Sequence, residues 1–348
     1  VSTPVFAADT TEDFIEVNES LSLDNTSQAQ TKTFNFDKNA IYKHTGRIEL
    51  KGQGGKKDLT INVKNGSGDF IVRDRYAPIK LYNSDIHLTF NSNLVMEGME
   101  YAGIMYGAGN VPRELNITGD FIYRNSYATA IEASTGNSRG NLFVITIDGK
   151  ADLRNVSIHG NGKTTASGSL LDLGATDFEA KQGVFIDNID GNTAGDWNTA
   201  IFLVNGSLKA ENQNIEITNI NFNVASRVNT SIYVQSSPVK AKNILIKGLT
   251  NNYNNDLYGY MNNTEANTVS DSLTICDILN LKTGNTVALY MGADSRTRYG
   301  DTNFNVGTVT IDNVVASDGI AEGMSVGGAA RDNGKLNAQA GSVLINGV

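Results

Sequence analysis

The chain is poor in what usually staples or coils a fold. Its 348 residues include one cysteine, Cys276, so no internal disulfide can form. Cys276 lies in the alternating run "LTICDIL", which reads as a buried structural thiol. Proline is scarce at 4, and charged residues make up 19%, below the usual quarter. The good helix formers Glu, Lys and Ala are thin, which argues against a helical protein. No stretch approaches the ~20 consecutive apolar residues of a membrane helix. The net charge of −9 argues against a general nucleic-acid binder, since neutralising phosphates takes clustered Lys and Arg.

What is present is β-forming and bend-forming. Apolar residues reach 40% and glycine 35, with Ile, Val, Thr and Asn recurring throughout. In "TAIFLVNGSLKAENQNIEITNIN", from Thr199, short alternating apolar runs are broken by Asn and Gly. The same shape returns in "TSIYVQSSPVKAKNILIKGLTN" from Thr230, where "VKA" replaces "LKA" and an Ile-x-Ile alternation follows an Asn. Further copies begin at Thr129, Ser167 and Thr286, and weaker ones near Ala40, Pro78, Ala102, Tyr258 and Gly323. A spacing of roughly 25 to 40 residues is that of stacked repeats.

An apolar period of two excludes helical repeats. The Leu and Asn frame of leucine-rich repeats is missing, and the units are too short for four-stranded propeller blades. The expectation is an all-β, right-handed parallel β-helix of roughly ten three-stranded coils, a rod about 45–50 Å long at ~4.8 Å per coil. Asn and Gly would occupy the bends, because both tolerate a left-handed backbone. Stacked Asn side chains would form hydrogen-bonded ladders along the rod.

Residues 1–8 resemble the tail of a secretory signal peptide, with Val5, Phe6 and Ala7 supplying a small-residue cleavage pattern. Residues 9–38 read as an N-terminal cap or a first irregular coil, and 39–348 as the β-helix. The final "AGSVLINGV" stops partway through a unit and reads as a cut end.

Irregular Asn- and Gly-rich coils behind an apparent signal tail resemble the passenger region of a Gram-negative autotransporter, most closely the adhesin and self-associating kinds. The resemblance covers roughly residues 40–348 and rests on pattern, not on a fixed motif. It implies export across the inner membrane and display at the cell surface from an outer-membrane barrel beyond Val348. The partners it implies are the same protein on neighbouring cells, or a host glycan or matrix protein.

Catalytic patterns are harder to find. Pectin-type hydrolases on a β-helix need closely placed aspartates, including an adjacent pair, and no Asp-Asp occurs. "IHGNG" carries His159 without those partners. Asp187 and Asp190 in "FIDNIDGN" lack the spacing of a calcium loop. His44, His87 and His159 are scattered without metal-ligand spacing, and the Gly-rich pieces lack a phosphate-loop pattern. No pattern calls for a cofactor, a metal or a catalytic residue, so a polysaccharide lyase or hydrolase is the alternative to an adhesin.

Candidate binding residues lie on expected loops. Tyr253, Tyr258 and Tyr260 fall in the long polar interruption 251–268. Arg296, Arg298 and Tyr299 in "ADSRTRYGD" suit a carboxylate or sulfate. Trp197, the single tryptophan, is expected at a bend where it would stack on a sugar or plug the groove between coils.

Overall fold

A computed structural model describes residues 13–23, 27–52, 54–73, 75–76, 78–82, 85–107, 112–133, 143–158, 168–191, 197–222, 228–235, 237–251, 254–259, 266–293, 302–327 and 336–348. The chain winds as a parallel β-solenoid. Every strand pairing is parallel, joining a strand to its counterpart one coil away. One wall is a sheet of 10 strands, from Ile48–Lys51 to Ala321–Gly327, one strand per coil. The other two walls share a connected set of 18 strands.

The sequence repeat is the backbone register. Thr199 pairs with Thr230, Ile201 with Ile232 and Phe202 with Tyr233. On the next wall Leu208 pairs with Val239, Lys209 with Lys240 and Ala210 with Ala241, so "LKA" lies against "VKA". Most of the expected repeat starts coincide with strands of the 10-stranded wall, including Ile79–Tyr82, Ile104–Tyr106 and Thr286–Ala293.

Alternation then sorts the side chains. Inward residues stack in columns along the axis, such as Leu59, Leu88, Leu115, Ile145, Phe178, Leu208 and Val239. A second column runs Ile48, Ile79, Ile104, Ile131, Leu171, Ile201 and Ile232. All of these are buried. Burying each such side chain contributes about 1.5–3 kcal/mol. Regular stacking begins within the N-terminal segment, where Gln30–Phe36 pairs with Lys57–Val63 along its whole length.

One bend is marked by left-handed backbone in nearly every coil. Gly98, Asn125, Asn155, Asn188, Asn219, Gly248, Asp277, Asn313 and Gly347 have φ between 50° and 70°. Flanking register places them one above another. The expected ladder forms here: Asn188 Nδ2 donates to Asn155 Oδ1 at 2.7 Å, and Asn313 Nδ2 to Asp277 Oδ1 at 2.9 Å. Asn also bridges coils elsewhere, as in Asn91 to Asn62 and Asn62 to Asn35, each at 2.6 Å.

Three local expectations need correction. Cys276 is half-buried on the outer face, where burial and the neighbouring Asp277 push its thiol up. In "LTICDIL" the inward residues are Leu273, Ile275 and, past the bend at Asp277, Ile278, and parity turns Cys276 out. Trp197 opens the strand Trp197–Val204 and pairs with Val228 where a bend was expected. The interruption 251–268 contains the strand Asn254–Gly259, and another strand begins at Ala266. Backbone pairing to a coil on each side is indifferent to polar side chains, so strands persist there.

The interior also holds polar groups. Arg113 stacks between Ile86 and Phe143, is buried, and leaves Nε and one terminal nitrogen without a hydrogen-bond partner. Tyr106 donates to the Leu173 carbonyl at 2.5 Å, and Tyr123 to the Ala128 carbonyl at 2.8 Å.

Two outcomes follow from this interior. Ile145→Ala empties an inward site and costs about 2–5 kcal/mol, whereas its outward neighbour Thr146→Ala stays within about 0.5 kcal/mol; urea unfolding of each variant measures both. Burial holds the Tyr106 and Tyr123 phenols well above the usual tyrosine range. An unfolded phenol ionises near pH ~10, so their contribution is complete below that pH and is lost as pH rises towards the folded values. Tyr123→Phe costs about 1 kcal/mol at neutral pH and flattens this alkaline loss, read from thermal melts across pH.

Candidate functional site

The clearest concavity among the described residues is an open groove of about 860 Å³ near the N-terminal end of the rod. It lies beside the turn that leaves Asn39–Tyr42 and enters Ile48–Lys51. The next coil adds Arg73, at the end of Asp69–Arg73, then Arg75 and Tyr76. Each coil lays its own turn over the one before, so residues distant in sequence meet at one corner.

The turn is held from within. Arg75 donates to the carbonyls of His44, Gly46 and Tyr42, and its guanidinium lies 4.9 Å from the Tyr42 ring centre. His44 Nδ1 accepts the Gly46 N–H at 2.9 Å. A Cβ on Gly46 would sit 2.7 Å from the His44 ring, so a larger residue there would push that ring aside and loosen its bond to the turn. The amides of Lys43 and His44 donate to the Val17 carbonyl below.

Among the described residues four cations, Lys43, Arg47, Arg73 and Arg75, line the groove with one carboxylate, Glu49. Glu49 is shared, 3.0 Å from Lys51 Nζ and 3.8 Å from Arg47. Arg73 pairs at 2.9 Å with Glu97, which also holds Arg124. Lys43 is exposed and makes no ion pair among the described residues. Asp74, between the two arginines in sequence, lies outside the described residues. Tyr76, 55% exposed, sets its ring 4.9 Å from that of Tyr101 on the coil above, tilted by 51°. A hydrogen bond to Glu100 raises the Tyr76 phenol.

Few of the residues singled out from sequence fall among the described residues. Tyr253, Tyr260, Arg296, Arg298 and Tyr299 lie outside the described residues, as does His159. Tyr258 lies on Asn254–Gly259, paired with Gln235 and Gly292. Asp187 is occupied within the ladder, accepting from Thr218 and Asn219 at 2.7 Å each. His87 sits 3.0 Å from both Asp85 and Glu114. Among the described residues no group of three or more His, Cys, Asp and Glu is placed to hold a metal. The groove went unseen although "RDRY" at 73–76 repeats the Arg-x-Arg-Tyr pattern of 296–299.

Compared with known protein families, curated proteins and solved structures, the chain matches none. No helix among the described residues is long and apolar enough to cross a membrane.

Arg75 has a measurable structural share in the groove. Arg75→Ala removes charge-assisted bonds to the 42–46 turn and destabilises it by about 2–4 kcal/mol. Arg75→Lys restores only part, because an ammonium cannot fork across spaced carbonyls. Hydrogen exchange at the Lys43 and His44 amides reads both effects.

Proposed function

We propose that this chain is the adhesive rod of a Gram-negative autotransporter, displayed on the cell surface and joining cells into aggregates and biofilm. The observation that carries this reading is a regular polar face. Outward residues Thr33, Thr60, Thr89, Asn116 and Thr146 stack in register, one per coil. Beside them run Asn35, Asn62 and Asn91, joined by side-chain hydrogen bonds. The face offers hydroxyls and amides at the ~4.8 Å spacing of the coils, with inward neighbours Leu59, Leu88 and Leu115 holding the sheet beneath it.

Two such faces meeting antiparallel about a two-fold axis present each other the same donors and acceptors at the same repeat, a self-complementary contact. Each contact is weak. Many coils and many rods acting together convert weak contacts into avidity. Attachment of this kind needs no pocket and no cofactor, which suits a solenoid whose side chains repeat along its length.

The test is a settling assay. Bacteria that do not otherwise aggregate settle when they display the rod, and labelled cells lacking it stay out of the clumps. Thr60→Glu with Thr89→Glu puts like charges on both copies and slows settling several-fold, whereas Lys80→Glu on the 10-stranded wall does not. Displaying cells that fail to settle, or clumps that recruit bare cells, would overturn the reading.

A further inference from the structure

We propose that the groove at the N-terminal end of the rod binds an acidic saccharide, a sugar chain carrying carboxylates or sulfates. This goes beyond attachment by self-association and stands whether or not rods pair with one another.

Charge is the first argument. The chain is acidic overall, at −9, yet among the described residues four cations meet one lining carboxylate in this groove, one of them, Arg73, being paired with Glu97. Arg75 is committed to the turn, but its charge still faces the groove. Among the described residues Arg47 donates a long 3.4 Å bond to the Tyr76 carbonyl, beside its distant contact with Glu49, and Lys43 makes no ion pair. Arg47 therefore keeps donors for a planar carboxylate or a sulfate, and Lys43 offers a point charge beside it.

The second argument is shape. The exposed rings of Tyr76 and Tyr101 form a short aromatic ridge at the edge of the groove. Such rings offer a flat apolar face to the C–H face of a sugar ring, while the Tyr76 hydroxyl is bonded to Glu100. An acidic peptide is the competing ligand, but its apolar side chains would find no seat. Ile41 and Pro78 are the only aliphatic side chains among the described lining residues.

The purified chain is immobilised and titrated with oligogalacturonate, heparin fragments, neutral maltodextrin and a polyglutamate peptide. Oligogalacturonate, heparin fragments or both bind, and which of them does tells carboxylate from sulfate recognition. Lys43→Ala with Arg47→Ala weakens that binding about tenfold and lowers its salt dependence. Tyr76→Ala with Tyr101→Ala weakens it roughly fivefold and leaves the salt dependence as it was. On the unaltered chain, the bound oligosaccharide slows acetylation of Lys43, which keeps the test open should a variant fail to fold. Neither acidic sugar binding, equal binding by the charge variant, or unslowed acetylation of Lys43 overturns the proposal. So does maltodextrin binding as tightly, and polyglutamate binding as tightly would reassign the groove to acidic peptides. These outcomes use soluble protein, so failure here and failure of cells to settle are separate results.

Discussion

The constraint on which the rest depends is the parallel hydrogen-bond ladder running along the rod. Each coil must offer its backbone at the same height and phase as the coil before it. Once Thr199 is fixed over Thr230, Ile201 to Val204 fall over Ile232 to Gln235, and parity decides which side chains enter the core. Inward columns of Leu and Ile supply the stabilisation. Outward columns cost little to vary, which leaves them open to function.

The bends pass the same constraint on to Asn and Gly. A coil must turn sharply at one height in successive repeats, and a left-handed residue does this in a single step. Asn is the useful choice because its amide also bonds the coil below, as Asn188 does to Asn155. Where Gly248 or Gly347 takes the position, the backbone conformation remains but no side chain is there to bridge the coils. Loops at the other corners grow or shrink without shifting the ladder. A corner can therefore gather Arg73, Arg75 and Tyr76 over Lys43 and Arg47 while the walls stay regular.

The polar face and the groove use this scaffold in opposite ways. The face draws on repetition, with Thr or Asn at the same position of five successive coils from Thr33 to Thr146. The groove draws on a local departure from it, where one turn is folded over the next and held by Arg75. In the function proposed above, weak contacts distributed along the face would act beside a charged recess near the N-terminal end of the rod.

The sequence by itself determined the wall-to-wall architecture, because in a solenoid the partner of each residue is its counterpart one repeat along. "LKA" and "VKA" could be aligned by eye for the same reason that Leu208 pairs with Val239. It also showed that Asn would turn the chain, since that is a property of the residue and not of its surroundings. Only the tertiary structure decided the local exceptions. Polar composition makes Trp197 and the segment around Tyr258 look like bends or loops, yet neighbouring strands impose pairing on both. An alternating run alone does not say which parity faces in, and with Leu273 and Ile275 inward Cys276 turns out. The groove was invisible because its cations and tyrosines come from successive coils. Nothing in a linear pattern says which corners lie over one another until the height and phase of every coil are known.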